Sequence, residues 1–373
     1  MKSEPRYRAT NNRNRQLVTG NSELKTVNCK LPAHPARHPK SAKRLHNEVL
    51  RSWLAAAFVL VTTALLAAAC GGGSSVDTPN FPKVVSLGKG ELFPTINNGS
   101  LGVGENRVSM SVIDRDDNRV LDAALHVRYY DLNGAKPKFA SEADARFIGT
   151  QLSYVDEQSG GEKTATGDDG VYVTSAMFDE AGDWGAEITV TRSGRTLAPI
   201  PFRFNVQEHS IELGIGDAAP ASVQPTLATA SSIEEIDSSA PPRPAMHDIT
   251  IADALKTGKP LVIAFATPAF CRSRTCGPVM DNVMDPLAAR YAADAIFIHV
   301  EPYVLRDQRE ANIENPIPAT REWRLQSEPW VFVVDRQRRI AGKFEGIMAA
   351  DEVEGVLTRA IGTAAGASPA PTP

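Results

Sequence analysis

VIAFATPAFCRSRTCGPV, Val262 to Val279, holds two of the four cysteines in the 373-residue chain. The first eight residues are almost wholly apolar, as a strand buried on both faces requires. Pro278 marks a helix start, because the amide that proline lacks is unpaired at the first helical position anyway. Cys276 therefore falls at or next to the N-cap, and a thiolate there faces free amides at the positive end of the helix dipole. Cys271 lies upstream in the strand-to-helix loop, where a step of five residues can bring the sulfurs together; inside one helix that spacing would hold them apart. Arg272 and Arg274 add positive charge between them. The residues alone leave three readings open: a redox pair, a metal clamp or a structural staple.

The pattern on either side alternates helix and strand. "ITIADALKTG" reads as a short helix closed by Gly258, and "GPVMDNVMDPLAARYAAD" as a helix that Pro286 should kink. "AIFIHVEPY", "PWVFVVD" and "RIAGKFEG" read as strands, and "AADEVEGVLTRAI" as a closing amphipathic helix. Residues 248–361 are thus expected to form an α/β domain. Residues 209–247, rich in Ala, Ser and Pro, read as a linker. Before it, residues 91–208 alternate apolar and polar positions in "RVSMSVIDR", "ALHVRYYDL", "FIGTQLSYV", "GVYVTSAMF", "WGAEITVTR" and "PIPFRFNV", separated by Gly, Asn and Asp turns. Six or seven such strands predict an immunoglobulin-like β-sandwich, with Trp184 against its core. The fold class expected is multidomain: an all-β sandwich followed by an α/β domain.

A strand, a Cys-Gly-Pro opening a helix, and a proline before a later strand ("SEPWVFVVD", Pro329) make residues 210–361 similar to the thioredoxin superfamily. "LGIGDAAPA" in the linker resembles the entry segment of redoxin-type members. The resemblance implies a thioredoxin-like domain in which Cys276 matches the exposed nucleophile, Gly277 and Pro278 the central pair, and Pro329 the cis-proline of the substrate groove. The usual resolving position is Val279, so the resolving sulfur must be Cys271. One peroxiredoxin class also uses a Cys-x4-Cys pair, but "TPAFC" has an extra residue after Thr267 and Ala264 stands where those enzymes hold a proline. Copper chaperones of this superfamily suggest Cys271, Cys276, Met280 and Met284 as soft donors. Core packing explains both methionines, at i and i+4. No histidine follows His299, which reads as a core or edge histidine of its strand. No metal site and no organic cofactor is assigned. Asp281 and Asp285 read as a solvated helix face, and Trp323 and Trp330 as core.

The amino terminus sets the compartment. Residues 1–51 carry 12 Lys/Arg against 3 Asp/Glu, whereas from Cys70 onward 28 face 41. So acidic a body argues against a nucleic-acid partner. Ser52 to Ala69 is an 18-residue run without charge, long enough for a secretory signal or a membrane anchor. "LLAAAC" resembles the lipobox of bacterial lipoproteins, with Cys70 as the lipidated residue and Ala67 where leucine is preferred. Residues 49–70 are then a signal peptide, and 71–90 a flexible tether. Residues 1–48, with Cys29, His34 and His38, read as disordered or as upstream sequence preceding the true start. Residues 362–373 read as a disordered tail. The body is expected on the extracytoplasmic face of the cell membrane, where disulfides persist. The function expected is thiol–disulfide exchange with protein thiols or disulfides and a membrane thiol reductase. The rival is a non-catalytic binding scaffold with a structural disulfide.

Overall fold

Long strands dominate the molecule. In the computed structural model, residues 79–81, 92–155 and 162–362 are described, all within one compact unit, Ser75–Pro373. The expected segments at 1–48, 49–70, most of 71–90 and 363–373 lie outside the described residues, as do Cys29, His34, His38 and Cys70. No helix among the described residues is long and apolar enough to cross a membrane.

The first part holds β1 (Leu92–Ile96), β2 (Gly104–Asp114), β3 (Ala123–Asp131), β4 (Lys138–Val155), β5 (Glu162–Phe178), β6 (Gly182–Arg192), β7 (Arg195–Thr196) and β8 (Ile200–Val206). They form a single eight-stranded sheet in the order β1-β2-β5-β4-β3-β6-β7, with β8 also on β6. Every pairing within it is antiparallel. The expected sandwich needs two sheets, and β4 prevents that separation. Its first half pairs with β3 up to Ala145, and from Arg146 it pairs with β5. One strand of 18 residues therefore belongs to both halves, and the sheet curls into a half-barrel. Inside the curl, Val108, Met110, Val127, Tyr129, Phe178, Trp184, Ile188 and Val190 pack as one core. Trp184 is fully buried against Phe178, ring centroids 4.8 Å apart, and its Nε1 donates to Glu180 O at 3.0 Å. Gly182 turns the chain into β6 at φ 127°, and a Cβ there would meet Asn133 Oδ1 at 2.0 Å, so only glycine fits.

The second part is a four-stranded mixed sheet, β10-β9-β11-β12, formed by β9 (Leu261–Phe265), β10 (Ile296–Val300), β11 (Trp330–Val334) and β12 (Ile340–Glu345). β9 and β10 are parallel; β11 is antiparallel to β9 and to β12. All five residues of β9 are buried, as its apolar run requires. The helices are short or interrupted: α1 (Ile251–Ala254), α2 (Cys276–Val279), α3 (Asp285–Tyr291), α4 (Leu305–Ala311), α5 (Pro318–Glu322) and the 13-residue α6 (Ala350–Gly362). Between α2 and α3, Met280–Met284 widens into a π turn. Pro286 cannot donate the next intrahelical bond, and the expected kink takes this form.

The expected fold class is therefore corrected. Among the described residues, strands occupy 38% and helices 21%. The first part is one curled antiparallel sheet, not an immunoglobulin-like sandwich. Helix is too scarce and too broken to define a clear α/β thioredoxin-like domain behind it.

Residues 209–247 do not span open space. Gly216 N donates to Ile340 O and Ile340 N to Asp217 O at β12, Ala218 bridges Arg339, and Leu213, Ser222, Gln224, Asp237 and His247 are buried. Arg243 grips Asp281 and Asp285 together, Nε lying 2.9 Å from Asp285 Oδ1. The face stays solvated, both carboxylates being more than 40% exposed, and it also clamps this segment.

Candidate functional site

Cys271 and Cys276 are joined as a disulfide, with Cα atoms 6.0 Å apart. β9 leads straight into the loop that carries them, and α2 starts on Cys276. The loop closes on itself: Phe270 N donates to Thr267 O at 3.0 Å and Arg274 N to Cys271 O at 3.2 Å, with Arg274 at φ 59°. Cys276 N lies 3.3 Å from Cys271 Sγ, so the amide at the helix start points at the outer sulfur. Ser273 Oγ sits 3.2 Å from the same sulfur and 2.7 Å from Thr275 Oγ1.

The two sulfurs differ in access. Cys276 is fully buried, packed with Ala266, Val279, Met280 and Val331, while Cys271 is half-buried at the edge of that core. This order is opposite to the one the family resemblance implies: Cys271 is the outer sulfur. Arg272 points outward to Glu314, its Nη2 3.0 Å from Glu314 Oε1, with 79% of its side chain exposed. Solvent thus screens its effect on the sulfurs. Met280 and Met284 lie in the core, as packing predicts. Pro278 and Val279 line a cavity of about 420 Å³ whose far wall is Arg146 to Thr150 of β4. A Cβ on Gly277 would meet nothing within 4 Å, so no steric demand fixes glycine there. The Glu328–Pro329 bond is cis. Ser327 and Glu328 share a second cavity, about 190 Å³, with Ser273 and Thr275, and Asp169 of β5 and Ile347 also line it. The curled sheet therefore forms one side of the space around the pair.

Glu328 is the titratable group nearest to Pro329. Burial raises its carboxyl above the usual range, against the hydrogen bond that Tyr303 Oη donates to its Oε2 at 2.7 Å. The same burial and the same partner push the Tyr303 hydroxyl upward. Trp330, next in the chain, stacks on Phe332 at 5.7 Å, and Trp323 is fully buried with Phe265 and Phe332.

A second cluster lies behind the loop. Asp237, His247 and His299 converge there, their side chains at most 1% exposed. Asp237 Oδ2 is 3.2 Å from His247 Nε2, and Oδ1 is 3.5 Å from His299 Nδ1. Neither ring atom has a hydrogen-bond partner, and neither has Glu301 Oε2. His299 Nε2 faces Ala266 O at 3.0 Å. Burial alone would raise the Asp237 carboxyl, but the two imidazoles hold it far below the usual range. Burial pushes His247 down; at His299 the carboxylates outweigh burial and hold the ring up. The sequence reading missed Asp237 and His247, and took His299 for a core histidine. Nothing in "EEIDSSAPPRPAMHD" signals proximity to a strand some 60 residues on.

No protein-family model matches the chain, and no curated protein sequence matches it.

Proposed function

We propose that the protein is a thiol–disulfide oxidoreductase whose reacting groups are Cys271 and Cys276. The carrying observation is the unequal access of the two sulfurs at the start of a helical run. An incoming substrate thiolate attacks Cys271 Sγ, the outer sulfur. A bond forms between substrate sulfur and Cys271, the Cys271–Cys276 bond breaks, and the electron pair leaves on Cys276 Sγ as thiolate. The helix-start amide placed at the pair, Cys276 N, faces Cys271 Sγ at 3.3 Å and favours thiolate at that outer sulfur once the pair is reduced. A second substrate thiolate then attacks the substrate sulfur of the mixed disulfide and releases Cys271 thiolate. The substrate gains a disulfide, and the pair holds two electrons. Run backwards, Cys271 thiolate attacks a substrate disulfide and Cys276 resolves the intermediate. The partner's potential sets the direction, and a membrane thiol reductase is the partner class proposed. This reading rests on the pair and its surroundings, not on a fold family.

Two single substitutions separate the roles. With Cys276→Ser, a mixed disulfide on Cys271 has no resolving sulfur and accumulates with a dithiol or protein-disulfide probe, read by mass. Cys271→Ser leaves a buried thiol and traps little. Equal trapping by both variants, or none by either, contradicts the assignment.

The lipobox resemblance supports anchoring through Cys70 on the extracytoplasmic face. Cys70→Ser is expected to move the protein from the membrane fraction to the soluble one, and continued retention defeats that part of the proposal.

A further inference from the structure

We infer that Asp237, His247 and His299 form a binding site for a divalent transition-metal cation of the zinc type. One ligand atom from each residue lies within 4.8 Å of the other two. Ligand atoms bound at ~2.1 Å to a tetrahedral ion stand about 3.4 Å apart. Asp237 meets the two rings through different oxygens, Oδ2 at 3.2 Å from His247 Nε2 and Oδ1 at 3.5 Å from His299 Nδ1, each separation near that edge. The two nitrogens have no hydrogen-bond partner although their rings are buried. Each nitrogen faces only an Asp237 oxygen, without an aligned hydrogen bond, and a cation shared among the three groups satisfies both nitrogens and the carboxylate together.

Hydrogen-bond directionality points the same way. Ala266 O accepts only, so His299 Nε2 carries the hydrogen and donates to it. With Nε2 committed to Ala266 O, Nδ1 is the ring atom that faces Asp237, and a metal ion bound there takes the place of a ring proton. A ligating histidine normally donates its other N–H to a carbonyl or carboxylate, and His299 does so. Asp237 is fixed from behind by backbone amides: Ser239 N donates to Oδ1 at 2.7 Å and Arg243 N to Oδ2 at 2.6 Å.

Two nitrogens and one oxygen suit zinc and its first-row neighbours, and no thiolate takes part. Three protein ligands leave a fourth position open. His247, His299 and Glu301 also line a cavity of about 520 Å³, so the cluster lies directly against open space. The site backs directly onto the disulfide loop. Ser238 Oγ accepts from Ala269 N at 3.1 Å, and Ser238 N donates to Glu301 Oε1 at 2.7 Å.

The test uses the whole chain, stripped with chelator and kept free of reductant so that Cys271 and Cys276 stay oxidised. Zinc is titrated calorimetrically, and bound metal is counted after dialysis. The expected result is zinc bound with micromolar or tighter Kd, weakened at least about 100-fold by His247→Gln and by Asp237→Asn, with far-UV circular dichroism checking that each variant folds. Zinc should raise the Tm of the wild type but not of the variants. Zinc-edge X-ray absorption on the wild type needs no variant, and should give a shell of nitrogen and oxygen with two imidazoles. Failure to bind stoichiometric zinc, binding that survives both substitutions, or a shell containing sulfur overturns the inference.

Discussion

Glu328 shows what one residue contributes beside the proposed reaction centre. Its carboxyl is raised chiefly by burial, so the folded state prefers it protonated. A group raised on folding contributes stability that is complete below the unfolded carboxyl value, about 4.3, and is lost as pH rises through the folded value. Glu328→Gln keeps an acceptor for Tyr303 and removes the charge. The variant should therefore gain on the wild type as pH rises from 4 to 7, measured as the difference in urea midpoints. A difference that is flat, or that falls with pH, contradicts the account. At this scale the sequence was half legible. The two cysteines announce themselves through Pro278, which fixes where the helix begins. Which sulfur is outermost depends on how the loop folds under Ala266 and Val331, and no local pattern encodes that. His299 looks like a core residue because its strand is apolar; its partners Asp237 and His247 come from a segment without periodicity.

The elements were read with uneven success, for a physical reason. Strands such as β2 and β6, with one face in the core, carry the alternation that burial imposes. The first half of β4, "KFASEADA", carries small and charged residues on a largely exposed stretch and leaves no such mark. That stretch joins the two halves of the sheet, so missing it turned one curled sheet into an expected sandwich. Two side chains also tie this sheet to the second part, and they differ in worth. Arg107 on β2 makes a bidentate pair with Glu352 of α6, 2.8 Å and 3.0 Å, and donates to Ile347 O at 2.8 Å, with both side chains at most 16% exposed. Arg146 pairs with Asp351 at 2.7 Å, but both are more than half exposed. Arg107→Ala should cost about 2 kcal/mol, because it strands a largely buried carboxylate. Arg146→Ala should cost roughly 0.5 kcal/mol. Equal losses in chemical denaturation would show that the junction is not carried by Arg107.

Across the whole molecule, composition suggested two bodies on a linker, and the described chain is one unit. Residues 209–247 run over the second sheet, contribute buried side chains to it, and are clamped by Arg243. Ser, Ala and Pro read as a linker because they carry no hydrophobic period. Here backbone pairing to β12 and buried polar groups hold them instead. The consequence is functional: the curled sheet and the second part together enclose the space beside the disulfide. The central claim is that this disulfide exchanges with substrate thiols. Its most direct test is the reduction potential of the Cys271–Cys276 pair, measured by equilibrating the protein across a series of thiol–disulfide buffers and counting free thiols by mass label. The account predicts a midpoint above about −300 mV, within reach of biological thiols. A pair still oxidised at potentials below that value is a structural staple, and contradicts the claim.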